Sequence, residues 1–274
     1  MNSGSPATTL APAGLAFDGI AAEYDAQFTN SSIGRAQRNA VWRILTRTFH
    51  PGDHILELNC GTGEDAVFLA RHGVSVYSCD ASAAMIEMAT RRLATAPHLT
   101  NVSFHQLPTE DVRALHSDVR RFDGVLSNFS GLNCVEDLRA VSADLAGLVR
   151  PGASLVLCFC SRVCLTEIAY FLIRGQLRKA VRRCSGSTIA SVGGRLTPVY
   201  YPTLSQLCKI FAPHFLIREC VGVGVAIPPS YLESTFAARP RLLKIICMLE
   251  RVLAPLPIVR AIGDHMVLRF ERRA

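Results

Sequence analysis

The rhythm of apolar and polar positions changes three times along the chain. From 15 to 49, "FDGIAAEYDAQF" through "AVWRILTRTF", apolar residues recur at intervals of three and four, which predicts helices. Five short β-rich runs then appear: "HILELN" (54–59), "VSVYSC" (74–79), "VSFHQ" (102–106), "FDGVLSN" (122–128) and "ASLVLCFC" (153–160). Between them "EDAVFLARHG", "SAAMIEMATRRLA" and "VEDLRAVSADLAGLVRPG" read as helices, the first closed by Gly73 and the last by Pro151-Gly152. This alternation predicts an α/β fold with a mostly parallel sheet covered on both faces. After 160 the pattern loosens. "LTEIAYFLIRGQLRKAVRRC" reads as one or two amphipathic helices with a basic face, and "GGRLTPVYYPTLSQLCKIFAP" as a strand or hairpin followed by a helix. "HFLIRECVGVGVAI" is a strand, 228–263 is Pro-punctuated and partly helical, and "DHMVLRFERR" is a closing strand. Residues 1–14, rich in Ser, Ala, Thr, Pro and Gly, read as a flexible tail.

Composition narrows the class. Of 274 residues, 49% are hydrophobic and 19% charged, which supplies a large core and excludes a disordered chain. The net charge of +7 favours an anionic partner: a phosphate-bearing substrate, a membrane surface or RNA. Ten cysteines include no CxxC pair. Cys79, Cys158 and Cys160 lie in apolar runs and read as small buried hydrophobes. "CFCSRVC" is a weak candidate for gripping a metal through Cys158, Cys160 and Cys164, and no metal is expected. The opening residues show no charged and apolar leader pattern, so a reduced, cytoplasmic protein is expected. No run of 18 apolar residues exists to span a membrane.

Candidate chemistry concentrates in "ILELNCGTGEDA" (55–66). In open α/β sheets ligands bind beyond the carboxyl ends of the strands, and glycines there allow close backbone approach. The turn Asn59-Cys60-Gly61-Thr62-Gly63 has that character, with Asn59 tolerant of the left-handed region. Glu64 and Asp65 open the next helix, where acids suit the dipole but oppose a phosphate. A cationic or zwitterionic ligand without phosphates therefore fits better than a dinucleotide. Asp80 ends the second strand, where a carboxylate reaches a ribose diol. An adenosine with an aminoacyl-sulfonium tail meets each element. Asp80 and neighbouring Ala81 take the ribose, Met85 the adenine face, and Gly61 and Gly63 the close approach; Glu57 orients the loop and the ammonium end.

Residues 15 to 160 resemble the class I S-adenosylmethionine-dependent methyltransferases, of the small-molecule type. "ILELNCGTG" is similar to their acid-x-G-x-G-x-G motif, with Asn59 in the first glycine place. "VYSCDASAAMIEMA" resembles their second strand, acid and helix, "FDGVLSNFSGLNCVEDL" the segment after the fourth strand, and "LVRPGASLVL" their PG turn and fifth strand. "FDGIAAEYD" resembles a helix placed over the cofactor, so Phe17 and Tyr24 are expected to cap it. The resemblance implies a Rossmann-like, seven-stranded, mostly parallel sheet and S-adenosylmethionine as cofactor, with S-adenosylhomocysteine as product. It also implies a division of the chain: N-terminal helices (15–50), a cofactor-binding core (51–160), and a final part (161–274) that completes the sheet and carries lid insertions at 161–202 and 225–263. One departure is Pro108, which stands where relatives carry an adenine-binding acid; Glu110, Asp111 or backbone groups of Thr109 and Glu110 are the substitutes.

Other candidates follow from position. Asn128, Phe129 and Asn133 follow the fourth strand, at the mouth of the sheet, and alternatively shape a turn; Cys134 is read as inert. An antiparallel last strand would bring Asp264 and His265 to that mouth, with Asp264 orienting His265 as a general base; a structural His is the alternative. His105 is read as a packing residue. Tyr200 and Tyr201 line the substrate pocket or pack a hairpin. The basic run Arg174, Arg178, Lys179, Arg182 and Arg183 is a solvated face or a dock for anionic lipid or an acidic partner. The expected reaction is methyl transfer to O, N or C of a small apolar or amphiphilic molecule. An RNA methyltransferase, a non-catalytic cofactor-binding scaffold and, least favoured, a nicotinamide oxidoreductase are the rivals; nucleic acid is not the expected partner.

Overall fold

A computed structural model describes residues 12–116 and 121–274, so most of the predicted tail lies outside the described residues. Helices α1 (Ala13–Asp18) and α2 (Ala21–Tyr24) lead through a π-helical turn, Asp25–Thr29, into α3 (Ser32–Thr48). Then come β1 (His54–Leu58), α4 (Glu64–Arg71), β2 (Ser75–Asp80), α5 (Ala83–Ala94), β3 (Val102–Gln106), a 3₁₀ segment Thr109–His116 and β4 (Phe122–Ser127). A short 3₁₀ turn, Gly131–Cys134, precedes α6 (Leu138–Leu148) and β5 (Val149–Cys160). The rest comprises α7 (Leu165–Ile173), α8 (Leu177–Ala180), β6 (Ser187–Val192), β7 (Arg195–Tyr200), α9 (Leu204–Phe211), β8 (Phe215–Val223), a 3₁₀ turn Ser230–Leu232, α10 (Glu233–Phe236), α11 (Pro240–Leu253) and β9 (His265–Arg272).

Seven strands form one sheet in the order β3-β2-β1-β4-β5-β9-β8, and β6 and β7 pair separately as a hairpin. In the seven-stranded sheet β9 is antiparallel to both β5 and β8 and the other pairs are parallel, while β6 and β7 are antiparallel. The central strands are buried on both faces, which explains their near-continuous apolar sequence. Leu56, Leu58, Leu155 and Leu157 face a core shared with α6 and α9, while Ile55, Val156 and Cys158 face α3 and α4. The alternation is the period of two expected of a strand.

Local signals set the helix starts. Ser31 accepts the Gly34 amide at the head of α3, Ser82 caps α5, Asp137 caps α6, and Thr203 and Gln206 form a capping box on α9. One boundary differs from expectation. α6 ends at Leu148, and Pro151-Gly152 lies inside β5, where the β4–β5 register shifts and Gly152 takes a positive φ of 78°. A bulge absorbs Pro151, which therefore does not stop the helix as its position predicts.

The topology gathers several chain segments at one edge. β5 ends at Cys160, directly opposite His265 at the start of β9, and His265 is opposite Val223 at the end of β8. Segments 161–202 and 225–263 therefore both leave from the carboxyl edge of the sheet. They are tied together there: the Leu165 amide donates to Ile262 O at 3.1 Å, and the Tyr231 ring lies 5.4 Å from that of Tyr170.

Candidate active site

A cleft of about 500 Å³, partly open to solvent, lies over the ends of β1, β2 and β4. Phe17, Tyr24, Asn59, Gly61, Asp80, Ala81, Met85, Asn128, Phe129 and Cys134 line it, together with Ala13, Gly14 and Gly131. Strand ends and the N-terminal helices thus supply one wall each.

The floor is backbone. Gly61 has φ +52° and nothing within 4 Å of where a Cβ would sit, so a ligand can approach the main chain. Asn59 also has positive φ, 54°, and its amide is held by the Thr109 hydroxyl at 3.0 Å and by Ser127 at 3.2 Å. Gly131 leaves the room Asn59 occupies, since a Cβ there would come within 2.2 Å of it. Asp80 accepts the Gly61 amide at 2.8 Å and the Ser82 amide at 2.9 Å. Burial raises its pKa, against the hydrogen bonds from Ser82 and Gly61. Both its oxygens keep lone pairs for a ligand diol. Burial pushes the Tyr24 hydroxyl up to about 12, so it is a donor at neutral pH.

Several expected residues stand behind this lining. Glu57 is 1% exposed, accepts the Ser78 hydroxyl at 2.7 Å and does not reach the cleft. Burial, then Asp65, drives its pKa well upward, and its carboxyl bonds β1 to β2 through Ser78. Cys60 is buried, with its thiol at 3.7 Å from Gly61 O. Gly63 caps α4 in the left-handed region and lets Phe104 and Ala89 pack close. Glu110 is exposed and lines an adjoining groove with Pro108 and Gln106, which joins the cleft at Gly14, Ala81 and Cys134. Asn133 is buried, donating to Tyr200 O at 2.6 Å and accepting the Cys160 amide at 2.9 Å. Tyr201 is buried beside the Arg183 guanidinium, and Tyr200 lines outer grooves. His105 stacks on Tyr77 at 4.0 Å, and burial raises the Cys134 thiol to about 11.

The two acids of α4 also require correction, because neither is a free charge at the helix start. Asp65 is buried and bonds Arg38 at 2.6 Å, the Trp42 indole at 2.6 Å and the Asn128 amide at 2.9 Å. Glu64 pairs with Arg92, which also binds Asp25 at 2.6 Å and Thr62 O at 2.7 Å. The electrostatic preference lies elsewhere. Among the described residues that line the cleft there is an Asp and no Lys or Arg, so a phosphate finds no countercharge. Tyr24, Phe17 and Phe129 add aromatic surface to that lining.

A second, larger cavity adjoins through Tyr24 and Phe129 and is lined by Phe28, Ser130, Cys160, Arg182, Arg183, Tyr231, Glu233, Asp264 and His265. Phe129 and Ser130 both take positive φ, 47° and 70°, strained backbone at the junction of the two spaces. The Phe129 ring meets His265 edge-on at 5.6 Å and lies 4.7 Å from the Arg38 guanidinium. Behind it, Asp264 accepts Arg183 at 2.9 Å and Gln37 at 3.2 Å and lies 3.4 Å from His265 Nδ1. Glu167 holds both Arg182 and Arg183, so two cations of the expected basic face are structural; Arg174, Arg178 and Lys179 remain exposed.

Cys160 is not the passive hydrophobe expected. Ser130 Oγ lies 3.1 Å from its thiol, and His265 is its cross-strand partner. Burial would raise the Cys160 pKa, but His265 and Arg183 outweigh it and the net shift is downward. Burial would lower that of His265, but Asp264 and Cys160 prevail over it and over Arg183, and the net shift is upward. Cross-strand register, invisible in the local sequence, pairs these residues. All ten cysteines are free, and no cluster placed to hold a metal ion occurs among the described residues.

Residues 55–152 match a family described as methyltransferase domain. A demethylmenaquinone methyltransferase of Clavibacter sepedonicus is 33% identical over 145 residues, 52% of this chain and 55% of that protein. The chain thus spans about half the length of the curated relatives it matches. Among solved structures, the [4+2]-cyclase SpnF superposes with a TM-score of 0.64 at 15% identity, covering all of both chains. An S-adenosylmethionine-dependent methyltransferase from Mesorhizobium loti gives a TM-score of 0.54 at 18% identity over 86% of this chain and 98% of that one. The structural likenesses show the fold, a Rossmann-like α/β sheet, and the sequence matches show that residues 55–152 are similar to the methyltransferase domain family.

Proposed function

We propose that the protein is an S-adenosylmethionine-dependent methyltransferase acting on a small apolar or amphiphilic molecule. The observation that carries this reading is a cleft with Asp80 at the second strand end, Gly61 open to it and no cation in its described lining, placed in a methyltransferase domain. Asp80 would hold the ribose, Met85, Phe17 and Tyr24 the base, and Asn59, Gly61 and Asn128 the tail. When bound, the cofactor supplies a methyl group already activated on a positive sulfur. The residues around it align the acceptor and exclude water.

The acceptor would occupy the adjoining cavity, with Phe129 between the two spaces. Phe28, Phe129 and Tyr231 beside Arg182, Arg183, Asp264 and His265 suit an acceptor with an apolar body and a polar group, and the curated relatives are named for a small-molecule acceptor of their own. A nucleophilic hydroxyl there would give its proton to the Cys160–His265 pair as its bond to the methyl forms and the sulfur–methyl bond breaks. Asp264, fixed by Arg183 and Gln37, is a positioning residue. The exposed Arg174, Arg178 and Lys179 support contact with an anionic surface, and ten free thiols suit a reducing cytoplasm. The cations alternate with apolar side chains and no RNA-reading module stands out among the described residues, so an RNA substrate is not favoured.

The test uses methyl-labelled S-adenosylmethionine with a panel of phenolic and quinol acceptors. Label should pass into the organic phase at a rate that rises with pH, because the base form of His265 exists only above its raised pKa. The midpoint should exceed 6.5 and fall in Asp264→Asn, where the carboxylate no longer favours the imidazolium. Cofactor binding without transfer to any acceptor would favour a scaffold or a different reaction.

A further inference from the structure

Exposed apolar side chains are concentrated in the two segments that leave the carboxyl edge of the sheet. On α11, Leu242, Ile245, Met248, Leu249 and Val252 are between 40 and 66% exposed. Their spacing places them on one stripe of the helix, and Ile258 beyond its end is 87% exposed. Across the tie at Tyr170 and Tyr231, Ile173 at the end of α7 is also 87% exposed, followed by Leu177 and Val181.

The charges of these segments are as uneven. Together, 161–202 and 225–263 hold twelve Lys and Arg against three acids, whereas the whole chain holds 29 against 22. The positive charge of the molecule therefore resides on these segments, and the remainder is close to neutral. All three acids are engaged internally. Glu167 binds Arg182 and Arg183, Glu233 accepts the Ser32 and Ile33 amides, and Glu250 accepts the amides of Gly224, Val225, Ala226 and Ile227. What remains outward on α11 is aliphatic or cationic, with Arg241, Lys244 and Arg251 exposed beside the apolar stripe.

We propose that this face docks on an anionic lipid bilayer, with the α11 stripe entering the acyl boundary and the flanking cations meeting lipid phosphates. Apolar stripe and basic margin are the two features an interfacial helix needs. A second copy of the chain is disfavoured, since a two-fold contact would set this cationic face against itself. RNA is disfavoured because the stripe is aliphatic and offers no ring for base stacking. The proposal deepens the reading of an apolar acceptor, and rests on it only in adding that the acceptor is drawn from the bilayer into the cavity beneath these segments.

Vesicle flotation of the full chain tests it. The protein should float with phosphatidylglycerol–phosphatidylcholine vesicles, not with phosphatidylcholine alone, and added salt should release it. Ile245→Asp combined with Val252→Asp should abolish flotation. Arg241→Gln combined with Lys244→Gln, which keeps the apolar stripe, should weaken the partition constant about fivefold per cation removed. Both pairs are solvent-facing, and an unchanged unfolding midpoint verifies folding. No flotation, equal flotation on neutral vesicles, or flotation that survives both pairs overturns the proposal. So does light scattering that shows a dimer dissociated by Ile245→Asp with Val252→Asp. Calorimetry of S-adenosylmethionine on the same variants separates the two readings: intact cofactor binding without docking removes the bilayer alone, and docking without cofactor binding removes the methyl transfer.

Discussion

Glu57 has the sequence position of a ligand acid and the surroundings of a structural one. Burial is the largest cause that raises the pKa of its carboxyl. A carboxyl whose folded pKa lies above its unfolded value binds a proton on folding. Stability is therefore greatest below the unfolded pKa and is lost as pH rises toward the folded one. Glu57→Gln removes that loss and keeps the Ser78 contact. The melting temperature at neutral pH should hold or rise, the fall in stability above pH ~4.5 should flatten, and cofactor affinity should be unchanged. A drop in affinity of tenfold or more would restore Glu57 to the ammonium site. Cys60 and Gly63 belong to the same lesson: the glycine motif marks the turn, but the side of each residue that meets the ligand depends on backbone angles. Asn59 and Gly61 turn toward the cleft, and Gly63 turns toward Phe104.

Asp65 joins three elements, bonding α3 through Arg38 and Trp42 and the segment after β4 through Asn128. Removing one charge of this buried pair leaves the other uncompensated, a cost of about 3–5 kcal/mol. Asp65→Asn should lower the melting temperature by roughly 10 °C, as scanning calorimetry would show. It should also release Phe129, whose left-handed backbone rests on Asn128 through a 2.9 Å bond from the Phe129 amide to Asn128 Oδ1. A midpoint within about 2 °C of wild type would show that the network carries little energy. The strands, helices and sheet class were legible because their signals are local: period, caps and turn glycines. The long-range carboxylates were not. Glu233 caps α3 from 201 residues away, and Glu250 anchors a turn 26 residues back. Neither has a neighbour in sequence that hints at its partner. Cys160 was misread for a related reason, since its strand is apolar and its partner His265 arrives from the far end of the chain.

At the scale of the molecule, two spaces share one wall. The first cleft opens beneath N-terminal helices, the larger cavity opens beneath basic and apolar segments, and Tyr24 and Phe129 line both. The antiparallel return of β9 makes this arrangement possible, because it starts His265 at the edge where the parallel strands end. The fold alone does not select the reaction, as the likeness to a [4+2]-cyclase illustrates. Selection would rest on the cleft, and the proposed preference for a phosphate-free cation follows from the absence of Lys and Arg in its described lining rather than from Glu64 and Asp65. Titration calorimetry on the purified chain addresses this most directly, with S-adenosylmethionine, S-adenosylhomocysteine and NADH as ligands and Asp80→Ala as the control. The two adenosyl compounds should bind, NADH should not, and Asp80→Ala should weaken binding about tenfold to a hundredfold, the loss of a charged hydrogen-bond acceptor. Binding of NADH with silence from both adenosyl compounds, or an Asp80→Ala variant that titrates like the wild type, would contradict the account.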